Sequence, residues 1–163
     1  MKREEEEAHN VQPEVVEASV VFDSGATDHT TPPDTVPEGA EFTINRSGKH
    51  FVGAGGDVIT KHGAAKMKMA GSKCTADIKF QVADVTKTLQ SVSKTCGPEE
   101  GPGKYDVIFT NKVGVVMPAG ILDKVLATGV KPLAEYHRKG GLYVANVKLS
   151  GPDVKPSGFQ RQE

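Results

Sequence analysis

From Thr75 to Val85 the side chains alternate, with Ile78, Phe80 and Val82 on one face and Asp77, Lys79 and Gln81 on the other. A period of two belongs to a β-strand with one face buried and the other wet, and no helix can bury that pattern. The segment before it, Val58 to Met69, closes in the same way, with Lys66 and Lys68 between Met67 and Met69. The 18 glycines and 10 prolines in 163 residues act in the same direction, because both residue types interrupt helix interiors. An all-β barrel or sandwich is therefore the expected fold class.

The remaining elements fit around that pair of strands. Val15 to Phe22 is a β-prone run that stops at Asp23-Ser24-Gly25. Residues 31–40 hold Pro32, Pro33, Pro37 and Gly39 and are expected to be loop. Phe42 to Ile44 and Lys49 to Val52 read as short strands, and Gly53-Ala54-Gly55-Gly56-Asp57 as the turn after them. Leu89, Val92 and Cys96 recur at helical spacing, which predicts one short helix over Thr88 to Thr95. Tyr105 to Thr110, Val113 to Met117 and Leu142 to Leu149 are further strand candidates. Ile121 to Ala127 is either a helix or irregular. The organisation expected is an acidic, disordered tail over residues 1–14, a domain over 15–117, and a dispensable linker with a polar tail over 118–163.

Charge and composition exclude several functions. A formal net charge of -1 makes no electrostatic case for direct nucleic-acid binding. No apolar run approaches the roughly 20 residues that span a bilayer. The start, with Glu4 to Glu7, is acidic where a signal peptide needs apolar residues, which points to the cytoplasm. Cys74 and Cys96 stand far apart and read as two reduced thiols. His9, His29, His50, His62 and His137 are scattered without metal-pair spacing, so surface or turn histidines are expected, with no metal and no cofactor.

Glycine motifs fare no better. Gly53-Ala54-Gly55 begins a dinucleotide fingerprint, but Val58 stands where its third glycine is required and no helical pattern follows. A phosphate loop ending at Gly103-Lys104 would need glycine where Pro98 stands, and Ser or Thr where Tyr105 stands. A serine triad through Ser24 and His29 lacks the Gly-x-Ser-x-Gly elbow.

What remains is Val20-Val21-Phe22-Asp23-Ser24-Gly25-Ala26-Thr27, an apolar strand that delivers a carboxylate into a turn of small residues. Asp-Ser-Gly is also a common turn tripeptide. Here, however, Phe22 to His29 resembles the hydrophobic-Asp-Ser-Gly-Ala-x-x-His signature of the retropepsin-like aspartic proteases of copia-type retrotransposon polyproteins. The likeness continues in order. Val52 to Ile59 is similar to the family's flap hairpin, and Phe80 to Val85 with Leu89 to Cys96 to its "DV…LLSVSKLC" segment. Tyr105 to Thr110 is similar to the following strand, and Arg138 to Val144 to the "GLYVLD" element before the integrase. The resemblance covers about residues 18–117 well and 138–147 briefly. Two departures stand out: Thr27 replaces the second Asp that retroviral proteases usually carry, and Ser91 falls near the family's second apolar-apolar-Gly element.

The resemblance implies a closed retropepsin-like barrel with one short helix, active only as a homodimer. Asp23 is then the catalytic residue, supported by Ser24, Gly25, Ala26 and Thr27. Gly53, Ala54, Gly55, Gly56 and Asp57 form the flap that binds substrate. The implied activity is cleavage of the element's own Gag-Pol polyprotein, in the cytoplasm or within virus-like particles. A catalytically inactive dimerisation or peptide-binding module from a decayed element is the alternative. An unrelated small β-barrel explains the strands but not the ordered motifs. On the same grounds the chain is expected to be a processed piece of a longer polyprotein or a decayed genomic copy.

Overall fold

The structure is a computed structural model and describes residues 14–71 and 73–154. Residues 1–13, which make up nearly all of the expected acidic tail, and the end of the polar tail lie outside the described residues. The chain is mostly β-strand with few helices. In order it runs through β1 (Val20–Asp23), β2 (Thr30–Thr31), a single 3-10 turn (Pro33–Thr35), β3 (Glu41–Ile44) and β4 (Phe51–Val52). β5 (Val58–Ile59), β6 (Lys61–Ala70), β7 (Thr75–Ala83) and β8 (Thr88–Ser91) lead into α1 (Val92–Cys96). The chain then forms β9 (Tyr105–Phe109), β10 (Gly114–Pro118), α2 (Ile121–Ala127), β11 (His137–Lys139) and β12 (Leu142–Val144).

These elements fall into two compact units that interleave along the chain. The first comprises residues up to Ser19 and Thr30–Thr88, and the second Val20–His29 and everything from Leu89 onward.

In the first unit the strands lie in the order β2-β7-β6-β3. β6 and β7, the strands that the alternation predicts, pair antiparallel over most of their length, from Lys61↔Ala83 to Ala70↔Thr75. A register shift between Lys61 and Gly63 makes His62 the extra residue, and its Nε2 lies 2.5 Å from Asp84 Oδ1. β2 was invisible in the sequence, since two threonines carry no period; it pairs parallel to β7, Thr30 with Gln81 and Thr31 with Val82. The core of the unit is small: Ala65, Phe80, Val82 and Ala83. Hydroxyls complete it. Thr31 Oγ1 is hydrogen-bonded to Thr35 Oγ1 and, at 2.8 Å, to Thr88 Oγ1, so these buried polar groups are satisfied. Gln81 departs from the expected wet face. It is buried because Phe80 to Ala83 is covered on both sides, and only the first half of β7 keeps one face in water.

In the second unit β1 lies beside β8, and β9 pairs with β10 from Phe109↔Gly114 to Tyr105↔Pro118. The helix expected over Thr88 to Thr95 is divided: its first half is strand, and α1 starts only after Ser91. Ser91 is the reason, because its Oγ accepts the Lys94 N–H at 3.2 Å and caps the helix. Ile121 to Ala127 is a second helix, so the expectation of one short helix is corrected to two among the described residues. α2 has Gly120 as its N-cap, with no side chain to offer. Asp106 of β9 supplies the acceptor instead, its Oδ2 taking the Gly120 and Leu122 N–H groups at 3.1 and 3.0 Å.

Residues 118–163, expected to be a linker, contribute α2 and the β11–β12 hairpin to this unit. Arg138 Nη1 donates to Gly97 O at 2.5 Å. Among the described residues, neither unit closes its strands into a barrel.

Candidate functional site

Asp23 is the last residue of β1 and is half-buried. Val20, Val21 and Phe22 extend the chain up to it, and Phe22 packs edge-to-face on Phe109 with ring centroids 5.6 Å apart. Beyond Asp23 the backbone turns sharply. The Gly25 N–H donates to Asp23 Oδ1 at 2.7 Å, a short charge-assisted bond across the turn that Ser24 opens. A β-carbon at residue 25 would stand 3.2 Å from that same oxygen, so glycine gives the carboxylate room to fold back. The tripeptide is thus a device that fixes one carboxylate oxygen and leaves the group at the end of a strand.

The rest of the turn is pinned by one residue, Ser91, which is fully buried. Its Oγ donates to Ala26 O at 2.6 Å, and its N–H donates to Nδ1 of His29 at 2.9 Å. Its carbonyl accepts from Thr95 Oγ1 at 2.8 Å, and its Oγ also lies 3.1 Å from the buried Ser93 Oγ. Ser91 therefore binds the turn at two points while capping α1. Sequence reasoning noted Ser91 only as a departure from a glycine-containing element and read His29 as a turn histidine. A serine at a strand-to-helix junction was the available signal.

The surroundings of His29 favour its neutral form. Burial pushes its pKa below the ordinary 6.5; Asp28 opposes this and Lys94 adds to it. Asp28 Oδ1 accepts the His29 backbone N–H at 2.8 Å and lies 3.8 Å from Lys94 Nζ. Thr27, exposed, lies beneath the turn of the β11–β12 hairpin: a β-carbon at Gly141 would stand 3.3 Å from Thr27 Cβ. Asp23, Ser24, Gly25, Ala26 and Thr27 are thus brought together, as expected of consecutive residues.

The other predicted site residues belong to the first unit. Gly53, Ala54, Gly55, Gly56 and Asp57 join β4 to β5, which pair as Val52↔Val58 and Phe51↔Ile59. The Gly53 N–H donates to Asp57 O at 2.8 Å and the Gly56 N–H to Gly53 O at 2.9 Å. Gly56 has φ +85°, which glycine adopts without strain. The predicted hairpin is present, exposed at its tip.

Among the described residues, no three His, Cys, Asp or Glu side chains are grouped to hold a metal ion. None of the described helices is long and apolar enough to cross a membrane. Cys74 and Cys96 are both free thiols, the first exposed and the second half-buried. The chain matches no protein-family profile, no curated protein and no solved structure.

Proposed function

We propose that the chain is an aspartic endopeptidase of the retropepsin-like, copia-type class, acting as a homodimer on a retrotransposon polyprotein. The observation that carries this reading is the Asp23 turn. A strand delivers a carboxylate whose Oδ1 is held by the Gly25 N–H, within the Asp-Ser-Gly-Ala sequence that the family resemblance singles out.

The chemistry needs two such carboxylates. Like charges about 3 Å apart do not both ionise, so one stays protonated while the other takes a proton from water. The acid donates to the scissile carbonyl oxygen and the activated water attacks its carbon. One Asp-Ser-Gly triplet per chain requires the second carboxylate to come from a second copy across a twofold axis. The resemblance assigns the Gly53–Asp57 hairpin to the flap, the part that pairs with an extended peptide as an added strand.

Incubation with polyprotein and peptide libraries, with and without a transition-state inhibitor of aspartic proteases, tests the proposal. Inhibitor-sensitive cleavage that falls on dilution is the expected result. No cleavage at any pH or concentration sinks it. A second reading, a peptide-binding or dimerising module without turnover, draws on Thr27, which stands where the resemblance places a second Asp. That reading predicts peptide binding without hydrolysis.

A further inference from the structure

Ser91 binds the Asp23 turn through two bonds of different kinds. The bond from its Oγ to Ala26 O is independent of pH. The bond from its N–H to His29 Nδ1 is not, because it needs the lone pair of that nitrogen. An imidazolium carries a proton on both ring nitrogens, so protonation sets a donor against a donor. The Ser91 N–H, buried with its residue, is then left without an acceptor.

We propose that neutral His29 is a positioning residue for Asp23: by accepting the Ser91 N–H it clamps the Ala26–His29 stretch to the start of α1, and protonation of its Nδ1 releases the clamp. The role assigned to Asp23 rests on the proposed protease function. The clamp itself rests only on the bonds above. Asp28 on its own segment and Lys94 on α1 are charged groups that face His29. They act in opposite directions, and burial decides the sign. The folded protein therefore binds the proton less readily than the unfolded chain does. The stabilisation from neutral His29 is fully present above about pH 6.5, the unfolded value, and is lost as pH falls through the lower folded value.

Two substitutions separate acceptor from ring. In His29→Asn the amide oxygen can stand where Nδ1 stands and accept the same N–H without titrating. In His29→Leu no acceptor remains. The experiment follows the Gly25 and Ser91 backbone amides and the His29 ring by NMR across pH in the full chain, beside peptide cleavage profiles. Both amides are expected to shift in step with the ring in wild type, with a midpoint below 6.5. His29→Asn should abolish that step, and His29→Leu should show the acid-form positions at all pH. Cleavage at neutral pH should fall ~10- to 100-fold in kcat for His29→Leu, with KM altered less. His29→Asn should recover most of that loss and lack the His29 limb of the profile. Amides that ignore the His29 titration overturn the proposal, as does an unchanged step in His29→Asn. If His29→Leu does not fold, His29→Asn alone decides. Wild type that shows the amide step but cleaves nothing overturns the protease reading and leaves the clamp supported.

Discussion

A β-carbon at Gly63 would stand 2.2 Å from Thr43 O and 2.8 Å from Phe42 Cζ, where β3 pairs with the bulged end of β6. The nearer atom is backbone and cannot swing aside. Gly63→Ala is therefore expected to destabilise the first unit by about 3 kcal/mol, the upper end of ordinary overpacking, as measured by chemical denaturation. At Asp23 the expectation is chemical. Asp23→Asn keeps shape and can still accept the Gly25 N–H, but it cannot take up and return a proton at working pH. Cleavage should vanish while the circular dichroism spectrum and melting temperature stay close to wild type. Tyr143 is the third case. Burial, with the Cys96 side chain beside it, pushes its hydroxyl up to about 12. The unfolded chain ionises first, near 10, so stability should decline as pH rises from about 10 towards 12. Tyr143→Phe should remove that part of the alkaline decline, and the ultraviolet absorbance titration of the wild type should show one late tyrosine. Of these residues only Asp23 was legible in advance. The demand for glycine at position 63 comes from a strand paired across the chain, and the Tyr143 shift from a neighbour distant in sequence.

At the scale of elements, legibility followed pattern length. The alternation in β6 and β7 is long enough to be read directly, although the segment read as one strand over Val58 to Met69 is divided into β5 and β6. β2, β8 and β11 have too few residues to show a period, and each exists because a partner strand offers it hydrogen bonds. The Asp23 turn was readable because its chemistry lies within five consecutive residues. Its anchoring was not, because Ser91 lies 65 residues from Ala26. α2 shows the same division, with a pattern that left helix or irregular structure open and a cap that comes from Asp106 on another element. Asp106→Ala should cost about 1 kcal/mol and fray the start of α2, seen as faster amide exchange at Gly120 and Leu122. In the β4–β5 hairpin, Gly56→Val forces a β-branched residue to φ +85° and should destabilise the turn. The amides of Gly53 and Gly56 report that loss directly.

At the scale of the molecule, the interleaving of the units matters most. The second unit draws on Val20–His29 and on residues after Thr88, so its two segments are separated by the Thr30–Thr88 part of the first unit. A chain ended at Pro118 loses the Arg138 bond to Gly97 and the contact of Gly141 with Thr27. Such a truncation is expected to lower the denaturation midpoint, with a loss of about 1 to 3 kcal/mol from the charged hydrogen bond alone. An unchanged midpoint would mean that the β11–β12 hairpin is an appendage. That separation also sets a timetable. Ala26 and His29 leave the ribosome some 60 residues before Ser91 does, and Gly141 follows later still. Until then β1 is a strand without β8, and its aspartate sits in an unanchored turn. A nascent chain can complete β6 and β7 while the Asp23 turn waits, so the order of translation itself delays assembly of the carboxylate's surroundings until nearly all of the described chain has been made.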